Sequence, residues 1–179
     1  KITVAPDKTT QANIALRIPG WTPNAIVKVN GETMKGVASG EYYVINRQWN
    51  AGDEITLTME MPAHLVSLNQ SVAIERGPIV YARDSRFNDG FVDEVVTIPN
   101  KDGIIQMKTE ENGKDMWITV SVPMVRGTYN DASTDTRHIR LCDFASAGST
   151  WDERIRYRVW LPKLYTPDNP KSGQFQGYW

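Results

Sequence analysis

Two pairs of adjacent acidic residues are the first candidates for chemistry in this sequence of 179 residues. Asp93 and Glu94 form one pair, and Asp152 and Glu153 form the other. Hydrolysis of a glycoside needs two carboxyl groups held across the sugar ring at a defined separation. Neighbouring side chains in an extended chain point to opposite faces, so neither pair meets that requirement. We interpret both pairs as turn and surface carboxylates and predict no catalytic residue among them.

A histidine and a cysteine in the C-terminal half are the next candidates. His138 lies in a predicted strand beside Arg137 and Arg140, and no spacing identifies the partners that a catalytic triad needs. Cys142 is the single cysteine, so it can form neither an internal disulfide nor a cysteine-rich zinc site. We interpret it as a small buried apolar side chain. The sequence predicts no catalytic residue, no metal site and no cofactor.

An oxygen-rich loop lies near the middle of the chain. Its candidate ligands for Ca²⁺ are Asp84, Asn88, Asp89 and Asp93. The loop departs from the EF-hand pattern, because Arg86 occupies the third position and Val95 the twelfth. We therefore interpret the loop as a polar connector.

Six tryptophans offer indole faces that can stack on a sugar ring. Trp160 and three arginines occupy every second position of residues 154–161 and alternate with Ile155, Tyr157, Val159 and Leu161, which predicts a strand with the indole and the guanidiniums on one face. Such a face could grip a polyol, an acidic sugar or an acidic partner. The candidate ligand-binding residues are Trp151, Trp160, Arg156 and Arg158. The alternatives are a solvated face with snorkelling arginines, and tryptophans that fill a core or a domain contact.

The balance of charge limits the partners of the chain. Lys and Arg together number 20 and Asp and Glu number 21, so a net charge of −1 provides no field that attracts nucleic acid or an anionic membrane. No apolar run has the length of a membrane helix, and the first residues lack the apolar core of a signal peptide. Lys1 looks like a cut inside a longer protein, because KITV already reads as a strand. We predict neither a nucleic-acid partner nor a membrane partner.

Apolar and polar residues alternate with a period of two along much of the chain. The strands that this pattern predicts must position all of the candidates named above. The pattern predicts strands at residues 14–18, 41–45, 55–61, 94–98, 116–122 and 137–144. Asn30 and Gly31 predict a two-residue hairpin turn, since both tolerate positive φ. Helical periodicity is not sustained anywhere. The pattern therefore predicts an all-β fold, an antiparallel and jelly-roll-like β-sandwich.

One stretch, residues 71–84, reads as two extended segments joined by Arg76, Gly77 and Pro78. Pro78 has no backbone N–H to donate to a strand ladder, so we expect the chain to change sheets at this point. This predicts two consecutive sandwiches. The first covers residues 1–84 and is incomplete at its N-terminal edge, and the second covers residues 85–179.

Four stretches taken in order resemble a known family. They are LRIPGW at residues 16–21, INRQWNAGDEITLTMEM at 45–61, VAIERGPIVYA at 72–82 and RVWLP at 158–162. They resemble the C-terminal part of glycoside hydrolase family 127, the β-L-arabinofuranosidases, also known as domain-of-unknown-function family 1680. The resemblance implies β-sandwich domains that follow an (α/α)6-barrel catalytic domain. It places the catalytic set, a zinc-held cysteine with cysteine and glutamate ligands and a glutamate acid/base, in that barrel and outside this sequence.

The resemblance implies a non-catalytic accessory region as the function of this chain. Its partner would be the missing catalytic barrel of the same polypeptide, in a periplasmic or secreted glycoside hydrolase that acts on arabinose-containing plant glycans. We expect an uncovered apolar patch on the first sandwich to face that barrel. The alternatives are an autonomous carbohydrate-binding module, with a glycan as its partner, and a purely structural or adhesive sandwich.

Overall fold

The computed structural model of the protein describes residues 1–113, 115–125, 136–150 and 152–163. The chain divides into two compact units, Lys1–Pro62 and Ala63–Trp179. Strands dominate both units, and the named strands pair in antiparallel fashion. The predicted all-β antiparallel class is therefore confirmed. Within the described ranges, no helix has the length and apolar character that would allow it to cross a membrane.

The first unit contains short strands in two sheets. Its strands are β1 (Ile2–Thr3), β2 (Thr10–Arg17), β3 (Ile26–Val29), β4 (Glu32–Thr33), β5 (Tyr42–Trp49) and β6 (Glu54–Thr58). One sheet has the order β1-β6-β3-β4, and the other pairs β2 with β5. Alternating apolar side chains of both sheets form one core, which includes Leu16, Val27, Val29, Ile45 and Ile55. Trp49 is buried in that core and its Nε1 donates to the carbonyl oxygen of Ala12 at 3.0 Å, so this indole fills a core.

The hairpin predicted at Asn30 and Gly31 is confirmed. Both residues have positive φ, 50° and 86°, and they connect the paired ends of β3 and β4. The Asn30 amide also donates to Asp53 Oδ1 at 2.8 Å, and its oxygen accepts from the backbone N–H of Glu54 at 2.8 Å. The backbone N–H of Asn50 and the Asn30 amide lower the pKa of Asp53 because both donate to its carboxylate. These hydrogen bonds therefore connect the hairpin turn at Asn30 and Gly31 to the turn at residues 50–53.

The second unit is built on one large sheet. Its strands are β7 (Ala63–Leu68), β8 (Ser71–Arg76), β9 (Ile79–Asp84), β10 (Asn100–Lys101), β11 (Ile104–Ile105), β12 (Lys108–Thr109), β13 (Thr119–Val125), β14 (Thr136–Asp143), β15 (Tyr157–Arg158) and β16 (Leu161–Pro162). The strand order is β10-β11-β7-β8-β9-β14-β13-β12, with β15 beside β9 and β16 beside β8. A single 3₁₀ turn, Ser85–Phe87, follows β9. The inner face of the sheet buries a core that includes Ile74, Tyr81, Val122, Ile139 and Leu161.

The predicted change of sheets at Arg76, Gly77 and Pro78 is wrong. Arg76 pairs with Ile79, so β8 and β9 form a two-residue hairpin within one sheet. Gly77 has φ of 59°, as the first central residue of a type II′ turn requires. Pro78 occupies the second central position, where its fixed φ fits the turn and no ladder hydrogen bond is lost. A proline at this place closes a hairpin.

The division between the two units accordingly differs from the predicted one near Asp84. It falls between Pro62 and Ala63, because β7, β8 and β9 share their sheet with β14 and their core with Ile139 and Leu141. The units are residues 1–62 and 63–179 rather than 1–84 and 85–179.

Two predicted strands are also absent as continuous elements. Residues 154–161 contain β15 and the beginning of β16, separated by a bend at Val159 and Trp160. Residues 94–98 contribute only the isolated bridges of Val96 to Lys163 and of Thr97 to Val125. Alternation of residue types therefore overestimated the regular structure in these two places.

We predict that Gly31→Ala lowers the free energy of unfolding of the first unit by about 1 kcal/mol, because an L side chain is strained at the positive φ of this turn. Gly20→Ala is the matched control, since Gly20 lacks a positive φ and has open space where a Cβ would lie. Urea unfolding of the two variants measures the difference. Equal stabilities would contradict the role assigned to the turn.

Candidate functional site

The outer face of the second sheet is the surface that could receive a partner. Residues directly opposite one another in a sheet point to the same face. His64 opposes Glu75, and Glu75 opposes Val80, so these side chains form one row across β7, β8 and β9. The backbone N–H of Phe144 donates to the carbonyl oxygen of Val80 at 2.9 Å and extends the row past β14. Leu65, Ile74 and Tyr81 form the corresponding row on the inner face, in the core.

A groove lies open on this outer face, with a volume of about 460 Å³. We call it the outer-face groove, and its lining residues are Val66, Ala73, Glu75, Val80, Phe144, Val159 and Trp160. Its walls expose apolar side chains: Val66 is 37% exposed, Trp160 39% and Phe144 51%. A neighbouring hollow of about 360 Å³ shares Val80 and Phe144 and reaches Trp117. Such a surface can bind apolar groups, and it offers few polar groups to a hydrophilic ligand.

The other part of the outer face is covered by the chain itself. Phe87, Met116 and Cys142 form a small apolar cluster there, with Ala147 packed against it. Burial raises the pKa of the Cys142 thiol to about 12, and the nearby carboxylate of Asp84 adds to this effect. The thiol is therefore protonated at neutral pH and is not in the thiolate form that acts as a nucleophile.

The carboxylates of the oxygen-rich loop form ion pairs with arginines. Arg83 has no exposed side-chain surface, and its Nη2 donates to Glu94 Oε2 at 3.1 Å. Arg137 binds the same carboxylate oxygen, and Arg83 Nη2 also lies 3.9 Å from Asp89 Oδ1. The loop is thus folded back onto β9 and β14 by ion pairs, which fits the interpretation of a connector.

The carboxylate of Asp84 is paired in a bidentate manner. Arg86 Nε donates to Oδ1 at 2.9 Å and Arg86 Nη2 to Oδ2 at 2.8 Å, and the backbone N–H of Gly148 also donates to Oδ2 at 3.0 Å. Burial alone would raise the pKa of Asp84. The hydrogen bonds from Arg86 and Gly148 outweigh burial and lower it.

The side chains of the adjacent residues Asp93 and Glu94 point in different directions, as expected for neighbours in an extended chain. Glu94 turns inward to Arg83, whereas Asp93 is exposed and accepts from Arg158 Nε at 2.8 Å. Hydrogen bonds from Arg154 lower the pKa of Asp152 to about 2. The carboxylates of Asp93, Glu94 and Asp152 are each paired with an arginine, and this geometry is not that of an acid and a base held across one sugar.

The structure describes three of the four candidate ligand-binding residues, and it does not bring these three into one groove. Trp160 lines the outer-face groove, but neither Arg156 nor Arg158 does. Arg158 pairs with Asp93, and Arg156 donates to the backbone carbonyl oxygens of Glu153 and Ile155. Trp151 lies outside the described residues.

The groove contains residues that the sequence analysis did not single out, namely Val66, Ala73, Val80 and Phe144. A signal for them exists in the sequence. Both alternating sets of β8 and β9 include apolar residues, whereas a sheet with one face in water usually carries polar residues on that face. Apolar residues on both sets indicate cover on both faces.

Comparison with solved structures identifies the fold. A GH127 β-L-arabinofuranosidase from Geobacillus stearothermophilus T6 superposes with a TM-score of 0.68 at 24% sequence identity, over 90% of this chain and 28% of that one. A GH127 β-arabinofuranosidase superposes with a TM-score of 0.66 at 23% identity, over 88% of this chain and 28% of that one. The chain therefore spans less than a third of these proteins.

A sequence model of a protein family also matches part of the chain. Residues 1–61 match the model described as "Beta-L-arabinofuranosidase, GH127 middle domain". The resemblance to glycoside hydrolase family 127 stated from the sequence is thereby confirmed. No curated protein sequence matches the chain.

We predict that Glu94→Gln lowers the free energy of unfolding of the second unit by about 3 kcal/mol, because it removes the closest negative charge from a fully buried guanidinium. Nε and Nη1 of Arg83 find no hydrogen-bond partner among the described residues, and the carboxylate of Asp89 lies farther away, at 3.9 Å from Nη2. The adjacent variant Asp93→Asn is the control, with an expected change within about 0.5 kcal/mol, since its ion pair with Arg158 is exposed. Similar losses in urea unfolding of both variants would contradict the prediction.

We predict that Asp84 makes the second unit less stable in acid. The pKa of Asp84 is lower in the folded protein than its ordinary value of 3.8, so its contribution is complete above that value and decreases as the pH falls through it. Asp84→Asn should be less stable at neutral pH and should lose less stability than the unchanged chain between about pH 5 and pH 3. Unfolding free energies across this range measure both slopes, and parallel slopes would refute the assignment.

Proposed function

We propose that this chain is a non-catalytic accessory region of a glycoside hydrolase of the β-L-arabinofuranosidase type, whose catalytic domain lies outside these residues. The observation that carries the proposal is the match of residues 1–61 to the middle domain of that family. The structural matches support it, because nearly all of this chain superposes on less than a third of each hydrolase. The substrate class that follows is an arabinose-containing glycan.

The chemistry of the candidate side chains supports the same proposal. The carboxylates of Asp84, Glu94 and Asp152 are bound by arginines, and the Cys142 thiol is buried and protonated. An acid/base carboxyl needs a pKa near the working pH and an open path to substrate. In the described part of the chain these groups fold the protein.

A carbohydrate-binding module is the second candidate, and exposed indoles favour it. Trp117 is 77% exposed and Trp160 lines the outer-face groove. Against it, Glu75 is the one charged side chain among the described residues that line the groove, whereas sugar sites combine stacking with several hydrogen-bonding side chains.

We expect the isolated chain to hydrolyse aryl arabinofuranosides no faster than buffer, and the full polypeptide that carries it to hydrolyse them, because the reacting groups belong to the catalytic domain. Release of the chromogenic aryl group measures both rates. Turnover by the isolated chain that survives a second purification would refute a non-catalytic role.

Affinity electrophoresis of the same preparation separates the two candidates. An accessory region should migrate equally in gels with and without arabinose-containing polysaccharide. Retardation that is lost in Trp160→Ala and kept in Trp49→Phe, whose indole lies in the core of the first unit, would favour the binding module.

A further inference from the structure

We infer that the outer-face groove is the surface on which the catalytic domain of the same polypeptide docks. The inference rests on the proposed function and deepens it by naming the contact surface and the kind of partner. It places the contact on the second unit, whereas the sequence led us to expect it on the first sandwich.

The sheet is apolar on both of its faces at this place. Ile74 and Tyr81 oppose one another on the inner face and are buried in the core, while Glu75 and Val80 oppose one another on the outer face. Val66 opposes Ala73 in the neighbouring row of the outer face. Apolar surface that is contiguous across several strands and open to water marks a contact with another protein surface. This face therefore needs a cover.

Hydrogen bonds and a ring contact position residues of the groove and of the adjoining hollow. Phe144 is held by its backbone hydrogen bond to Val80, and its ring centroid lies 6.2 Å from that of Tyr157. In the adjoining hollow, the buried Asp143 accepts hydrogen bonds from the backbone N–H of Ile118 at 3.0 Å and from Ser146 Oγ at 2.7 Å. The carboxylate oxygens of Asp143 already accept hydrogen bonds, so an apolar surface can cover the hollow without leaving this carboxylate unsatisfied.

The size of the surface favours a tethered partner. Separate proteins form a stable contact through about 800 Å² and roughly 20–30 residues on each side. The groove and the adjoining hollow are lined by fewer residues than that. A domain on the same chain needs a smaller contact, because the linker supplies a high effective concentration. The matched hydrolases carry more than two thirds of their length outside the region that superposes on this chain.

The lining also defines what the docking surface of the catalytic domain should carry. Apolar side chains, one of them large enough to lie between Phe144 and Trp160, would fill the groove. A lysine or arginine beside them would pair with Glu75, the charged residue of the groove.

Thiol labelling of matched cysteine variants tests the inference. Val66→Cys and Phe144→Cys place a thiol in the groove, whereas Val44→Cys and Phe91→Cys make the same substitutions at positions that are 53% and 83% exposed elsewhere. Each variant is made in this chain and in the full polypeptide, and a maleimide reports the rate of reaction. The native Cys142 is buried, and the unchanged chain provides its background rate.

We expect the two groove thiols to react at least about tenfold more slowly in the full polypeptide than in the isolated chain, and the two control thiols to react equally in both. Equal rates for the groove thiols in a full polypeptide that hydrolyses arabinofuranosides would overturn the docking inference and leave the proposed function intact. A full polypeptide without glycosidase activity would overturn both. Protection in the isolated chain that grows with protein concentration would assign the groove to a second copy, and protection on addition of arabinan would assign it to a glycan.

Discussion

The ion pair between the fully buried Arg83 and Glu94 is the interaction on which the second unit depends. A guanidinium without contact to water requires a negative charge at hydrogen-bond distance, and Glu94 provides it from the far end of the loop that follows β9. Arg137 in β14 binds the same carboxylate, so the loop is held against two neighbouring strands. The same loop carries Phe87, which covers Cys142 on the outer face of the sheet. The ion pairs of Glu94 and the apolar contact of Phe87 therefore hold the two ends of one loop to the sheet.

The remainder of the outer face differs in chemistry from the part that the loop covers. The ion pair of Arg86 with Asp84 lies near Cys142 in the covered part, and the pairs of Arg83 and Arg137 with Glu94 hold the same loop against the sheet. The open part is lined by aliphatic and aromatic side chains with Glu75 as its charged residue. Contact with another domain through such a surface requires little removal of water from charged groups, which is the main cost of burying ions. The residues whose ion pairs fold this unit are therefore separate from the residues of the docking surface that we propose.

Local alternation predicts much of this fold, and the failures have physical causes. The sequence correctly predicts the strand face that contains Ile14, Leu16 and Ile18. It also correctly predicts the turn at Asn30 and Gly31, because a strand face and a type I′ turn are properties of neighbouring residues. Pro78 misleads, since whether it breaks a strand or closes a hairpin depends on the φ of Gly77. Residues 154–161 alternate well, but Arg154 pairs with Asp152 two residues away and Arg156 with the backbone of Glu153, and these local bonds compete with a strand ladder.

The outer-face groove could not be predicted in the same way, because its members come from strands far apart in sequence. Val66 and Ala73 share one hairpin, but Phe144 joins them only through the pairing of β14 with β9, and Trp160 only through the bend that precedes β16. Burial in a sheet is decided by such pairings, and alternation cannot reveal them. What the sequence does contain is apolar residues in both alternating sets of β8 and β9. Apolar residues in both sets indicate a second layer over this sheet, and the described residues of the chain cover one part of the outer face. In the docking that we propose, the catalytic domain supplies the layer over the groove.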